Sequence, residues 1–308
     1  MRNLDALLSN CNLCPRNCGV NRLEGQFGYC KTNANPLVAS ITLHKGEEPV
    51  LTGSSGICNV FFAHCNLACT YCQNHQISRN NELTSNWLSD YNIIVNQITE
   101  ILDRGINTLG FVSPTHQVPQ MVTIIKMLHQ RGYNPTVVYN SNGYDNPSVL
   151  REIADLVDIY LPDIKYFSND LGKRYSDVSN YFSSSMIALK EMVWQKGTSL
   201  LLDENGVAES GVIIRHLILP NHADDSKKIL GYLATNISAS LTIPLMSQYY
   251  PINSNFNKLS RTITEKEYNE VKNTMENLGF FRGWTQEFSS NNHYLPNFDL
   301  KKPFYSDN

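Results

Sequence analysis

From residue 57 onward the chain repeats one pattern six times: a short apolar, β-branched run, then a longer stretch with helical spacing. The apolar runs cover 57–63, 107–112, 136–139, 157–161, 212–219 and 241–246. The helical stretches cover about 88–104, 118–131, 147–156, 179–196, 224–236 and 264–278. In the first of these, Leu88, Tyr91, Ile94, Ile98, Ile101 and Leu102 share one face and Gly105 follows them. The last opens with Thr264-x-x-Glu267, a capping-box pattern. Strands alternating with helices predict parallel βαβ units. Six of them predict an α/β fold, a partial (β/α)6 TIM-like barrel over 57–250, with a doubly wound open sheet as the alternative. The 308 residues are enough for one large domain or two ordinary ones.

Each apolar run is followed by a polar cluster: His64-Cys65-Asn66, Ser113-Pro114-Thr115-His116, Asn140-Ser141-Asn142-Gly143-Tyr144, Pro162-Asp163-Ile164-Lys165, Pro220-Asn221-His222 and Ser247-Gln248-Tyr249-Tyr250. In a barrel or an open α/β sheet these positions share the rim at the strands' C-terminal ends. Active sites form there because the loops vary while the strands stay rigid. Loops are polar in any protein, but six such clusters on one rim point to a site.

The charge is nearly balanced, 25 basic against 28 acidic residues, net -3. That predicts neither a nucleic-acid footprint nor a polybasic membrane patch. No apolar run approaches the length of a membrane span. The first residues, MRNLDALLSNCNLC, lack the apolar core of a signal peptide, so a cytoplasmic, reducing location is expected. There, clustered cysteines mean metal rather than disulfides. All eight lie between 11 and 72: Cys11, Cys14, Cys18 and Cys30, then Cys58, Cys65, Cys69 and Cys72. Residues 1–56 read as a small Cys-rich, metal-binding module that needs a metal to hold together. Residues 251–308 read as a C-terminal helix and tail packing on the barrel.

Cys65, Cys69 and Cys72 have the spacing C-x3-C-x2-C. A structural zinc takes four closed ligands, and the fourth would have to be His64, His75 or a distant group. A 4Fe–4S cluster on three thiolates keeps one iron open for a small molecule. In its sequence, Cys65-Asn66-Leu67-Ala68-Cys69-Thr70-Tyr71-Cys72 resembles the C-x3-C-x-aromatic-C signature of the radical SAM enzymes. The front motif Cys11-Asn12-Leu13-Cys14-Pro15-Arg16-Asn17-Cys18, then Arg22 and Gly28-Tyr29-Cys30, is similar to the front module of proteins like the pyruvate formate-lyase activating enzymes. VDIYLPDIKY at 157–166, the Ser-Pro-Thr-His turn and LMSQYYP at 245–251 also look like that subgroup. The resemblance covers about residues 11–290.

What the resemblance implies is a 4Fe–4S cluster on Cys65, Cys69 and Cys72 whose open iron is chelated by S-adenosylmethionine. Reduction cleaves that cofactor to methionine and a 5′-deoxyadenosyl radical, which takes hydrogen from a substrate. It further implies oxygen-sensitive, anaerobic oxidoreductase chemistry, an electron donor such as flavodoxin or ferredoxin, and a protein or peptide substrate such as a glycyl-radical enzyme. By position Tyr71 neighbours the adenine and Asn74 lies beside the thiols. The turn after the second strand reads Gly-Gly-Glu in many relatives; here Ser113 and Thr115 stand in for it near the methionine amino group. Asn140, Ser141 and Asn142 match an Asp-Thr-Asn-Gly turn. Asp163 and Lys165 match an Asp-x-Lys in which the Asp belongs to a monovalent-cation site and the Lys faces the methionine carboxylate. Of Arg215 and His216, one can face the barrel interior; the resemblance selects His216. Cys58 reads as a small buried hydrophobe.

Cys11, Cys14, Cys18 and Cys30, spaced C-x2-C-x3-C-x11-C, suit either zinc or a second iron–sulfur cluster, with Arg16 and Arg22 to offset the thiolate charge. Two other functions stand beside the first: a radical SAM enzyme acting on a small metabolite, and a non-catalytic, metal-stapled binding protein.

Overall fold

The computed structural model describes residues 4–81, 86–252, 257–286, 288, 295–300 and 302–304. Among the described residues nine strands form: β1 Val38–His44, β2 Ile57–Phe62, β3 Thr108–Val112, β4 Thr136–Ser141, β5 Ile159–Pro162, β6 Leu201–Leu202, β7 Ala208–Val212, β8 His216–Leu217 and β9 Leu245–Met246. Seven make one sheet in the order β1-β2-β3-β4-β5-β7-β6. From β2 to β7 the neighbours run parallel, with Cys58 opposite Leu109, Val112 opposite Asn140 and Ser141 opposite Pro162. The edges, β1 and β6, are antiparallel. β8 and β9 pair parallel in a second, two-stranded sheet. The architecture is an α/β partial barrel with a mostly parallel central sheet.

The helices Tyr91–Leu102, Val118–Gln130, Pro147–Glu152, Tyr181–Lys196, Ala223–Asn236 and Glu265–Asn277 stand where the apolar spacing places them. Asp90 caps the first, its carboxylate accepting from the backbone N–H groups of Asn92 and Ile93. Thr264 and Glu267 form the capping box reciprocally. Ile94, Val95, Ile98, Leu109, Phe111, Met121 and Ile125 are all buried in the main core between sheet and helices. Every residue of β2 and β3 is buried, as expected for strands covered on both faces.

Three features depart from the sequence reading. The expected fifth strand, 212–219, is regular only at β7 and β8, with isolated bridges between them. The Ile213 and Arg215 N–H groups donate to the Tyr160 and Pro162 carbonyls, while Ile214 donates to Thr242 O and His216 to Pro244 O, so the run lies between β5 and β9 and bonds to both. A helix at Asn169–Ser176 and the β6–β7 pair were not foreseen. Within the Cys-rich segment, β1 pairs along the whole of β2. At the other end of the chain, Phe298 and Phe304 pack their rings on Phe61, and Phe304 lies 4.1 Å from the His44 ring. Among the described residues no helix is long and apolar enough to cross a membrane.

Candidate active site

A cavity of about 550 Å³ opens at the C-terminal ends of the parallel strands. The loop after β2 enters it with His64 and Ala68 in the left-handed backbone region, φ 66° and 51°. Those turns set all three loop thiols, Cys65, Cys69 and Cys72, on the cavity wall. Several groups aim donors at the sulfurs. The Leu67 N–H lies 3.4 Å and the Asn142 side-chain amide 3.3 Å from Cys65 Sγ, and the Ser176 hydroxyl lies 2.9 Å from Cys69 Sγ. Burial pushes the Cys65 thiol up, and Cys69 beside it adds to the shift. Burial and Cys69 push Cys72 up to about 12. Left alone these groups are thiols; as ligands they must release their protons.

Donors directed at sulfur, three thiols on one loop and a cavity in front of them fit a 4Fe–4S cluster on Cys65, Cys69 and Cys72. No fourth cysteine lines this cavity among the described residues. His64, one alternative fourth ligand, borders the cavity with its Nδ1–H already committed to the Cys30 carbonyl at 2.9 Å.

Most of the other expected site residues reach the same space. Tyr71, Asn74, Ser113, Asn140, Ser141, Asn142, Asp163 and Lys165 all line it. Tyr71 sits in a nest of rings, with Tyr249, Tyr175 and Tyr166 centred 6.1 to 6.3 Å away. Its burial holds the phenol neutral. Asn142 also donates to Asn66 Oδ1 at 2.7 Å, which links the β4 turn to the thiol loop. Gly143 makes that turn available. Its φ is +76° and a Cβ there would lie 2.3 Å from the Asp163 carbonyl, so no other residue fits without a shift. The Lys165 ammonium lies 2.6 Å from Asp163 Oδ2. Burial opposes the charge, but Asp163, Tyr71 and Cys69 outweigh it and keep the lysine protonated well above the usual range.

Two expected residues lie elsewhere. Thr115 turns its hydroxyl onto Asp145 at 2.7 Å, in a buried set with Tyr139 and Ser141. His216 faces away from the cavity. Its Nδ1–H donates to the Ile164 carbonyl at 2.7 Å, and burial lowers its pKa, so it stays neutral. Of the pair on that strand, the inward position belongs to Arg215.

Arg215 belongs to a group that sequence reasoning missed. Its Nε donates to Glu48 Oε1 at 2.7 Å, and its Nη2 reaches Glu48 Oε2 and Glu47 Oε2. Glu47 also accepts from the Asn59 amide at 2.9 Å. Burial works against ionising Glu47, but Arg215 prevails and holds its carboxyl below the usual range. The wall is completed by an amide chain in which Gln73 donates to the Gln248 carbonyl at 2.7 Å and Gln286 to Gln248 Oε1 at 2.8 Å. This chain ties the thiol loop to the segment after β9. No short-range pattern marks Glu47, Glu48 or Gln286; only the polar cluster at 247–250 pointed toward this wall.

Outside the cavity, burial raises the Cys58 thiol to about 12 and the residue packs as a core side chain. His222 is half-buried, its Nε2 2.9 Å from the Tyr175 hydroxyl. Cys11, Cys14, Cys18 and Cys30 together border a second, narrow cleft.

Comparison with known proteins agrees with this arrangement. Residues 59–193 match the family described as the Radical SAM superfamily. The chain is 31% identical over 281 residues to the uncharacterized protein MJ0674 of Methanocaldococcus jannaschii, across 88% of this chain and 74% of that one. Its fold is similar to a radical SAM methyltransferase from Sphaerobacter thermophilus, with a TM-score of 0.55 at 10% identity over 80% of this chain and 69% of the other. A more distant likeness, TM-score 0.49 at 12% identity over 70% of this chain and 55% of the other, is to anSMEcpe with AdoMet bound. With the thiol loop inside the matched region and its three sulfurs on the cavity wall, the chain belongs to the radical SAM superfamily.

Proposed function

We propose that the protein is a radical SAM enzyme of the activating-enzyme kind, acting on a protein or peptide. The observation that carries this reading is that Cys65, Cys69 and Cys72 open onto the same cavity as Lys165 and Asn142. Family membership implies a 4Fe–4S cluster and S-adenosylmethionine. When bound, these groups supply one electron and a carbon radical able to take hydrogen from a C–H bond.

The chain's own part is to hold, orient and keep water out. Three thiolates ligate the cluster. Lys165, protonated across the physiological range, offers a charge-assisted bond to the carboxylate of S-adenosylmethionine. Tyr71 presents an aromatic wall beside the thiols for the adenine. Ser113 and Asn140 bring a hydroxyl and an amide to the same wall for the remaining polar atoms. A cavity of about 550 Å³ falls in the range of small-ligand sites, about 300–1,000 Å³. It takes a cofactor and one substrate side chain or backbone segment, which suits a peptide reaching in from outside. An external flavodoxin- or ferredoxin-class protein is the electron source in this reading.

A small metabolite is the second reading, favoured by one observation: Pro296 and Phe304, from the far end of the chain, add to the cavity wall and enclose it further. One experiment separates the two. The protein, reconstituted without oxygen and reduced, is given either deuterium-labelled cellular protein or the labelled low-mass fraction. Deuterium in 5′-deoxyadenosine from the protein fraction supports the peptide reading, and from the low-mass fraction the metabolite. If no 5′-deoxyadenosine forms with either, the radical reading fails and the metal-stapled binding protein takes its place.

A further inference from the structure

We propose that Cys11, Cys14, Cys18 and Cys30 hold a second iron–sulfur cluster, and that this centre shares a wall, Asn66, with the three-thiol loop. The first half stands on the front segment alone; the second rests on the proposed function, because it needs a cluster on that loop.

The four thiols border one cleft together with Arg16 and Asn66. Cys11, Cys14 and Cys30 are buried and Cys18 is half-buried. Donors again point at sulfur: the Tyr29 N–H lies 3.5 Å from Cys18 Sγ and the Thr32 hydroxyl 3.2 Å from Cys30 Sγ. Gly28 clears the space for one thiol, since a Cβ there would lie 2.9 Å from Cys18 Cβ and Sγ. Four thiolates bordering one cleft suit a cluster, which spreads them over its irons.

The surroundings supply charge. Arg16 donates to the carbonyls of Asn66 at 2.6 Å and Ser176 at 3.0 Å, and Arg22 to those of His116 and Asn33, each at 2.7 Å. Both guanidiniums spend these donors on backbone, and their charge offsets the excess negative charge of four thiolates around a cluster.

The two thiol sets are joined at three points. Asn66 lines the front cleft and is the covalent neighbour of Cys65. Its Oδ1 accepts from Asn142, whose amide also reaches Cys65 Sγ. His64, on the other side of Cys65, donates to the carbonyl of Cys30. One electron can pass between the centres along this contact, the front centre oxidised as the loop centre is reduced, with no bond made or broken. The electron enters from an external one-electron donor protein of the flavin or iron–sulfur class.

The test uses the full chain, reconstituted without oxygen, with metal counted per chain. The direct probe is the triple variant Cys65→Ala/Cys69→Ala/Cys72→Ala, which leaves the front set intact. It should keep about four irons, and the wild type about eight. The variant Cys14→Ser/Cys18→Ser should keep about four on the loop. One zinc and no iron in the triple variant, or no metal at all, overturns the front cluster. About four irons in the triple variant but none in the front variant leaves the front cluster standing and sinks the proposed function instead. Paramagnetic resonance of the reduced wild type should differ from the sum of the two variants' signals, because neighbouring paramagnets couple. A spectrum equal to that sum overturns the shared wall. If the front variant fails to fold, the iron count and signal of the triple variant still decide the first half, and the wild-type spectrum minus that signal decides the second.

Discussion

Asn142 donates its side-chain amide to the sulfur of Cys65 at 3.3 Å, across 77 residues of sequence. A donor at a ligating sulfur stabilises the more negative, reduced state of a cluster. Replacing Asn142→Leu removes the donor and leaves the Cys65 thiol in place. The cluster potential should fall, as read by a redox titration followed by paramagnetic resonance. An unchanged or raised potential would mean that this contact does not tune the centre.

Lys165 shares the cavity wall with the three thiols, and its ion pair with Asp163 positions it. Lys165→Met should weaken S-adenosylmethionine binding by about tenfold or more, the scale of a hydrogen bond to a charged group. Asp163→Asn keeps the ammonium and should cost less. Calorimetry on the reconstituted protein measures both. Equal losses would assign the effect to the pair's structural role rather than to contact with ligand.

Glu267 makes the clearest acid-sensitive contact. Arg261 donates to both its carboxylate oxygens, the Thr264 backbone and hydroxyl add two more donors, and the Asn221 N–H lies 2.6 Å away. The Arg261 hydrogen bonds, with those backbone donors, hold its pKa at about 2 against an ordinary 4.5. A depressed carboxylate stabilises the fold fully above 4.5 and loses that contribution as pH falls toward about 2. Thermal melts of wild type and Glu267→Gln should therefore differ most at neutral pH and converge as pH drops through that window. A gap that persists unchanged at pH 2 would contradict the assignment.

Much of this was legible in the sequence for a physical reason. Strands β2, β3 and β5 are buried along their whole length, so they read as largely apolar runs, and the helices between them expose one polar face each. The thiol loop is local, eight residues long, and its spacing survives any uncertainty about the fold. β1 was hidden because its buried face carries Thr42 and His44 beside Val38. The irregular stretch between β7 and β8 left no mark, because Ile213 and Ile214 are apolar and bond to a neighbour on either side. Choosing between Arg215 and His216 required knowing which face of the strand fronts the cavity. Alternation turns Arg215 toward Glu47 and Glu48, and those partners lie 168 and 167 residues away.

The central claim is that three sulfurs face an open iron. The measurement that tests it most directly is paramagnetic resonance of the reduced, anaerobically reconstituted protein before and after adding S-adenosylmethionine. The signal should change on addition, and the same sample should release 5′-deoxyadenosine, while Cys69→Ala should show neither. A signal from a centre with four protein ligands, unmoved by S-adenosylmethionine, would contradict the account.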